Sequence, residues 1–169
     1  MYNIGHESTE EDKMSWNDLS ERWKEYFIKE LHLIASMSKD KDTKVGAIII
    51  DTENKVVISK GYNDLPRGVY HHLARNTRPL KYKFTTHAEM NALFNALYQG
   101  VSVKGATMLC TLFSCSTCCG GVIQSGIKEF VCPEPDWEYP SLKDDFPVTN
   151  IMYDEAGVHV IFEERLSNV

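Results

Sequence analysis

The sequence has no long hydrophobic run, and no segment approaches the roughly 18–20 apolar residues that a membrane-spanning helix needs. It also lacks repeats and low-complexity tracts, and its six prolines and ten glycines are too few for a collagen-like or disordered chain. Residues 1–13 lack the apolar segment of a secretory signal, so we expect a flexible N-terminal tail on a cytoplasmic protein without membrane contacts. Residues 14–169 are long enough to form a single domain with a substantial core.

Basic residues are fewer than acidic residues. The chain has 18 Lys and Arg residues against 24 Asp and Glu residues, which gives a formal net charge of −6. This balance argues against a general nucleic-acid binder. The five cysteines are an odd number in a chain without an export signal, so they favour a metal or redox role over a disulfide framework.

The apolar pattern predicts a layered α/β domain. A 3.6-residue period that opens at Ser15 predicts the first helix, and residues 45–50 and 56–61 predict an antiparallel hairpin. The segment 63–86 has no sustained period and carries several basic residues, which is typical of a functional loop. Further helices are predicted over 87–99, 116–125 and 146–155, and further strands over 106–111, 129–132 and 158–162. This order predicts three layers, with helices on both faces of a five-stranded mixed sheet whose last three strands are mostly parallel.

Two short motifs, each opening a predicted helix, carry the chemistry: His87-x-Glu89 and Cys115-x-x-Cys118. Because the two cysteines stand three residues apart, their sulfurs project from the same side of a helix. The N-terminus of that helix favours thiolate over thiol. Two thiolates and an imidazole form a donor set that suits zinc, and three protein ligands leave the fourth position open, as in catalytic zinc sites.

Glu89 has a chemical role beside such a site. Zinc lowers the pKa of a bound water to about 7, and a neighbouring carboxylate can accept the proton and deliver it elsewhere. The combination of His-x-Glu and Cys-x-x-Cys is the signature of zinc-dependent nucleobase deaminases. Each residue also has a plainer interpretation: Cys118 as a small buried hydrophobic residue, His87 as a helix cap, and Glu89 as a partner of the helix dipole.

The other three cysteines have weaker claims. Cys110 and Cys132 lie in apolar strand patterns, so we predict that both belong to the core. Cys119 is also predicted to be a core residue, although it is the nearest substitute ligand. A structural zinc module without catalysis would need a fourth protein ligand, and Cys119 is the nearby candidate for it.

With these motifs in place, the chain resembles the deoxycytidylate (dCMP) deaminase family of the zinc-dependent cytidine/deoxycytidylate deaminase superfamily, over about residues 16–162. The resemblance rests on Ser38-Lys39-Asp40 leading to Val45-Gly46-Ala47, on Gly61-Tyr62-Asn63, on His87-Ala88-Glu89-Met90-Asn91-Ala92, on the Cys115–Cys118 motif, and on Glu155-Ala156-Gly157-Val158. It implies a cytidine-deaminase-like fold over a single domain.

The resemblance also implies a reaction, in which dCMP and water give dUMP and ammonia and so supply thymidylate synthesis. His87, Cys115 and Cys118 would hold Zn²⁺. Glu89 would move a proton from the attacking water to N3 of cytosine and then to the departing amine.

Substrate contacts follow from the same resemblance. The Ala88 backbone would lie near the base, and Asn63 would contact the sugar. A positive charge or a backbone N–H group must meet the phosphate, and the candidates are the turn at Ser38, Lys44, and the basic loop that carries Arg67; the sequence does not choose between them. Trp137 or Tyr139 could stack on the base or be ordinary packing residues.

Two positions depart from the family pattern. Ser114 stands where the family usually has proline, and a serine there can serve as a helix cap. Asp64 stands where the family usually has glycine, in a loop that helps to bind a dCTP or dTTP effector in regulated relatives. A carboxylate there would repel phosphates, so we question this allosteric control. An apolar helix face predicts a homo-oligomer, and relatives are usually homohexamers.

Two other substrates are compatible with the same chemistry. One is adenosine or cytidine in RNA or DNA, whose deamination requires grip on a polynucleotide backbone and a flipped base. The net charge of −6 argues against it, and the Arg- and Lys-rich segment 67–83 argues for it. The other is a different cytosine nucleotide, such as dCTP.

Overall fold

The computed structural model of the chain describes residues 13–139 and 142–167. Within them the helices are α1 (Glu21–Ser36), α2 (Lys81–Phe84), α3 (Ala88–Gln99), α4 (Ser116–Gln124) and α5 (Phe146–Ala156). The strands are β1 (Gly46–Asp51), β2 (Val56–Tyr62), β3 (Thr107–Cys110), β4 (Glu129–Cys132) and β5 (His159–Phe162). The predicted tail, residues 1–13, lies outside the described residues except for Lys13. In the described part of the chain, no helix is both long and apolar enough to cross a bilayer.

The five strands form one mixed sheet in the order β2-β1-β3-β4-β5. The β1–β2 hairpin is antiparallel, and β1 also pairs antiparallel with β3. The pairs β3–β4 and β4–β5 are parallel, because a helix crosses over between the strands of each pair. The predicted hairpin and the predicted parallel arrangement of the last three strands are therefore confirmed.

Successive side chains of a strand point to opposite faces of the sheet, so the core has two parts, one on each face. On β1, Ala47 and Ile49 pack with residues of α3, α4 and α5, while Ile48 and Ile50 pack with residues of α1. All four side chains are fully buried. The predicted three layers, with helices on both faces of the sheet, are confirmed.

The start of the first helix differs from the prediction. Ser15 caps a short 3-10 turn, Trp16–Asp18, in which the Asp18 carboxylate also accepts a hydrogen bond from the Ser15 backbone N–H. The chain then becomes extended at Leu19, and α1 begins at Glu21. The capping box closes the turn on itself, so the apolar period that runs through this region belongs to two separate elements.

One edge of the sheet gathers the predicted functional motifs. At this edge Gly46, the first residue of β1, pairs with Tyr62, the last residue of β2, and Ala47 pairs with Cys110, the last residue of β3. An isolated bridge between Asp64 and Thr86 places the start of α3 beside the end of β2. The chain that leaves β3 leads directly into α4, so both helices that carry the motifs begin at this edge.

The long segment 63–86 is mostly irregular, as predicted, and a buried ion cluster fixes it to the rest of the fold. Its Lys81 Nζ, which is almost inaccessible to solvent, lies 2.9–3.0 Å from both carboxylate oxygens of Asp40 and 2.9 Å from Asp42 Oδ2. Burial alone would raise the pKa of Asp40, but hydrogen bonds from Lys81 and from two backbone N–H groups outweigh it and lower that pKa. The cluster ties residues 40–42 to the chain that leads into α3.

Helix α3 packs against β2 at a distance that only glycine permits. A Cβ atom added to Gly61 would lie 2.6 Å from the Ala88 carbonyl oxygen and would also clash with the Ala92 backbone nitrogen. Real Cβ atoms do not approach backbone atoms this closely. The position of α3, and with it the position of His87 at its start, therefore depends on the absence of a side chain at Gly61.

We expect Gly61→Ala to destabilise the protein by about 1–3 kcal/mol, because α3 must move away from the sheet to accept the added methyl group. Urea unfolding followed by circular dichroism measures the change. Gly120→Ala in α4 is the matched control, since nothing lies within 4 Å of the added Cβ there, and it should be neutral or stabilising by up to about 1 kcal/mol. Equal unfolding midpoints for the two variants would contradict the close-packing argument.

Candidate active site

Three donor atoms from two helix starts converge at the edge of the sheet. His87 Nδ1 lies 3.5 Å from Cys115 Sγ and 3.4 Å from Cys118 Sγ, and all three atoms lie within 4.8 Å of one another. A tetrahedral zinc with ordinary bond lengths would hold nitrogen and sulfur ligands about 3.6 Å apart. The observed separations therefore fit a shared zinc ion without rearrangement.

Local backbone geometry explains why these residues converge. His87 and Cys115 occupy the N-cap positions of α3 and α4 with extended backbone angles, and Cys118 follows Cys115 by one helical turn. Unpaired backbone N–H groups and the helix dipole give each helix start a partial positive charge. The two thiols thus lie where negative charge is favoured.

The protonation of the two cysteines is asymmetric. A hydrogen bond from Cys118, helped by a second one from His87, lowers the pKa of Cys115 to about 4. The same hydrogen bond to Cys115, together with burial, raises the pKa of Cys118. Thiolate character is thus favoured at Cys115, and a metal that binds both sulfurs must displace any thiol proton.

Glu89 lies in the first turn of α3, two residues after His87. Its side chain is 4% exposed, and burial raises the pKa of its carboxyl group to about 7. A hydrogen bond from the Cys118 side chain lowers this pKa by less than burial raises it. A carboxyl group with a pKa near neutrality can both accept and donate a proton, which is what general acid–base catalysis requires.

Two of the predicted substrate-binding residues shape the adjoining loop. Asn63 is buried; its Oδ1 accepts a hydrogen bond from the Val45 backbone N–H at 2.8 Å, and its Nδ2 donates to the Thr43 carbonyl at 2.9 Å. Ser38 is also buried; its hydroxyl donates to the Asn63 carbonyl and accepts from the Asp40 backbone N–H. Both side chains thus hold segment 38–45 against the end of β2.

Ala88 and Lys44 lie near the same edge of the sheet. Ala88 is the first residue of α3 and is fully buried beside Glu89. Lys44 is exposed, belongs to the segment that Asn63 holds, and donates a hydrogen bond from Nζ to the Ser36 carbonyl at 3.4 Å.

Arg67 lies apart from the donor cluster. Its guanidinium donates a hydrogen bond to Asn95 Oδ1 and lies over the Tyr98 ring, 4.7 Å from the ring centroid. Asn95 is eight residues beyond His87, or about 12 Å along α3. Arg67 also lines two cavities of about 500 and 530 Å³ along β2 and α3, and none of the three donor residues lines either cavity.

Trp137 lies in the chain that follows β4. Its ring packs against Phe113 with the centroids 5.9 Å apart, and its Nε1 donates a hydrogen bond to Glu134 Oε1 at 3.5 Å. Phe113 lies two residues before Cys115, so this aromatic pair adjoins the cysteine turn. Tyr139, the other predicted stacking residue, is exposed.

The remaining cysteines are core residues, as predicted. Cys110, Cys119 and Cys132 are fully buried and pack in the core beneath α3, α4 and α5. Cys119 Sγ points at the Thr149 carbonyl, 3.7 Å away, and is not one of the converging donors.

The departure at Asp64 has a local explanation. Its carboxylate accepts a hydrogen bond from the Leu65 backbone N–H at 2.8 Å and lies 3.6 Å from His71 Nε2. It also lines the cavity of about 530 Å³ together with Arg67. The side chain therefore organises the turn that follows β2.

The role expected for Ser114 as a helix cap is wrong. Its hydroxyl is fully buried and forms a 2.6 Å hydrogen bond with the Tyr153 hydroxyl of α5. The cap of α4 comes from Asp145 instead, whose carboxylate accepts hydrogen bonds from the Ser116 backbone N–H and hydroxyl at 2.7 and 2.6 Å. Sequence reasoning did not identify Asp145 or Tyr153, although their eight-residue spacing places them on one face of a helix.

Comparisons with known proteins agree with this geometry. The model of a family described as the cytidine and deoxycytidylate deaminase zinc-binding region matches residues 21–134. Deoxycytidylate deaminase of Pongo abelii is 36% identical over 142 residues, covering 80% of this chain and 76% of that protein. The human deoxycytidylate deaminase is 35% identical over 142 residues, with the same coverage of both chains.

Among solved structures, that of dCMP deaminase from the cyanophage S-TIM5 in complex with dCMP and dUMP superposes with a TM-score of 0.69. It is 26% identical and covers 86% of this chain and 99% of that chain. The five-stranded mixed sheet of this chain agrees with that fold, which confirms the predicted fold class. On its sequence, its fold and its converging donor set, the chain belongs to the cytidine and deoxycytidylate deaminase family.

Proposed function

We propose that the protein is a zinc-dependent hydrolase that converts dCMP and water into dUMP and ammonia, supplying dUMP for thymidylate synthesis. The observation that carries this proposal is the convergence of His87, Cys115 and Cys118, with the buried carboxyl group of Glu89 in the first turn of the same helix start as His87. Relatives named deoxycytidylate deaminase support the choice of substrate.

The proposed metal ligands are His87 Nδ1 and the sulfurs of Cys115 and Cys118. Their separations of 3.4–3.5 Å and their mixed nitrogen and sulfur character fit zinc. When bound, zinc would supply Lewis-acid activation of a water molecule by lowering its pKa toward neutrality.

Glu89 is the proposed catalytic acid and base. With its pKa near 7, it can accept a proton from the attacking water, deliver it to N3 of the cytosine ring, and later protonate the departing amine. Burial keeps bulk water away from the carboxyl group and so maintains this pKa.

We assign the substrate contacts by position. Asn63 has two amide N–H bonds and donates one to Thr43, so the second can reach the sugar. The Ala88 backbone lies beside Glu89 and would adjoin the base, with Trp137 at its side. Lys44 is placed better than Arg67 for the phosphate, because it lies in the segment that Asn63 holds.

For Ser38 we propose a structural role in that segment, since its hydroxyl forms hydrogen bonds with backbone groups on both sides.

We also propose that the protein forms a homo-oligomer. Exposed apolar residues on α3, including Leu97 and Tyr98, support this proposal. The hexamer that the family resemblance implies stays a prediction. The Asp64 carboxylate, which would repel a phosphate, argues against control by dCTP or dTTP. None of the five cysteines, all of which lie in the described residues, forms a disulfide, which supports a cytoplasmic location.

The substrate is tested by comparing turnover of dCMP, dCTP, and a cytosine- or adenine-containing oligonucleotide at equal concentrations, with ammonia release as the measurement. We expect dCMP to be hydrolysed at least tenfold faster than either alternative, because the chain resembles deoxycytidylate deaminases and carries a net charge of −6. Faster turnover of an oligonucleotide would favour a polynucleotide deaminase instead. Faster turnover of dCTP would favour a triphosphate substrate and would assign the phosphate contacts to the basic loop that carries Arg67.

We expect Glu89→Gln to lower kcat for dCMP by at least about 100-fold, because the amide keeps the shape of the side chain but cannot move the proton. Zinc content, measured by elemental analysis, should stay at the wild-type level. Glu25→Gln on the exposed face of α1 is the control and should leave turnover unchanged. Retention of full activity by Glu89→Gln would refute the proposed acid–base role.

Zinc content itself tests the ligand set. We expect one zinc per chain in the wild-type protein and almost none in His87→Ala or Cys118→Ser, because each variant removes one of three protein ligands. Cys119→Ser is the matched control, because Cys119 directly follows the ligand Cys118 in the sequence but its sulfur points at the Thr149 carbonyl. Loss of zinc from Cys119→Ser with retention in Cys118→Ser would reassign the ligands.

A further inference from the structure

One face of α5 holds the turn that carries both cysteine ligands. Asp145, Thr149 and Tyr153 are spaced four residues apart, so they lie on the same face of that helix. The Asp145 carboxylate accepts two hydrogen bonds from Ser116. The Thr149 carbonyl accepts one from the Cys119 thiol. The Tyr153 hydroxyl forms a hydrogen bond with the Ser114 hydroxyl. These contacts join α5 to the cysteine turn at three points along residues 114–119.

The contacts bracket Cys115. Ser114 precedes this ligand and Ser116 follows it, and each is fixed to α5 by hydrogen bonds of 2.6–2.7 Å. Cys115 itself makes no side-chain capping bond to the helix that it opens. The residues on either side therefore restrain its backbone angles, which limit the directions that its sulfur can take.

The Ser114–Tyr153 bond is fully buried. Both side chains are inaccessible to solvent, and the Tyr153 ring is stacked on Phe130 of β4 with the centroids 5.3 Å apart. A buried hydroxyl without a partner costs about 1–3 kcal/mol, so neither group can be changed alone without a penalty. The ring stack fixes the tyrosine hydroxyl against the sheet, and the hydroxyl in turn fixes Ser114.

We propose that Ser114 and Tyr153 form a positioning pair that holds Cys115 in the orientation required of a zinc ligand. The pair replaces, by a hydrogen bond, the restraint on φ that a proline at position 114 would impose covalently. The proposal rests on the zinc site of the proposed function and concerns residues that do not themselves bind the metal. Partners behind the ligands of a metal site typically change metal affinity by 10–100-fold.

The test measures zinc release from the loaded protein into excess chromogenic chelator at a temperature well below unfolding. We expect Tyr153→Phe to release zinc about tenfold faster than the wild type, because the phenyl ring still packs but Ser114 loses its partner. Thr107→Val is the matched control: it also removes a buried hydroxyl hydrogen bond, to Glu129 Oε2 at 2.8 Å, but at the opposite end of β3. It should lower the unfolding midpoint without changing zinc release.

The double variant Ser114→Pro with Tyr153→Phe provides the rescue, since proline supplies the backbone restraint and leaves no hydroxyl unpaired. We expect it to restore zinc release to within about threefold of the wild-type rate, and it keeps the test decisive if a single variant fails to fold. Equal release rates for Tyr153→Phe and Thr107→Val would reduce the pair to ordinary core packing and overturn the proposal. A wild-type chain that holds no zinc would instead overturn the proposed function and this inference with it.

Discussion

The site depends on bringing the starts of two helices close enough for their first residues to share one ion. Each helix start carries a partial positive charge, and two such ends repel each other unless negative groups lie between them. A hydrogen bond from Cys118 lowers the pKa of Cys115 to about 4 and so favours negative charge there, and His87 and Cys118 complete the candidate donor set. Packing against the sheet then fixes the distance between the two helix starts.

Both helices are fixed by packing and by hydrogen bonds. Helix α3 lies against β2 because Gly61 leaves room for its backbone, and Asn91 Nδ2 donates a hydrogen bond to the Tyr62 carbonyl. Helix α4 packs Cys119 and Val122 into the core. The hydrogen bonds of Ser116 with Asp145 and of Ser114 with Tyr153 join its start to α5. The candidate histidine and sulfur ligands thus come from helices that shape and directional bonds hold together.

The loop that adjoins the site shows how a basic and irregular segment acquires a fixed place. Lys81 is buried with its charge neutralised by Asp40 and Asp42, while Asn63 and Ser38 engage the backbone of the same stretch. Such a buried cluster stabilises one arrangement of the loop because any other would leave a charge unpaired in the interior. Because the loop is already ordered, a substrate that contacts it would not have to order it, which lowers the entropic cost of binding.

Periodicity in the sequence predicted the strands, the helices over 87–99 and 116–125, and the mixed sheet, because these patterns depend on neighbours within one element. Residue type and spacing predicted that His87, Cys115 and Cys118 would converge, since a three-residue spacing places two sulfurs on one side of a helix. The break between Ser15 and Glu21 was missed because a capping box overrides the apolar period locally.

What the sequence determined by itself is thus the chemistry of the site: which donors are available, and that they stand at the starts of helices. Only the tertiary structure decided how those donors are held. Ser114 meets Tyr153 across 39 positions and Lys81 meets Asp40 across 41. Contacts over such separations follow from the order of the strands and the packing of the helices, and no local pattern of residues encodes them.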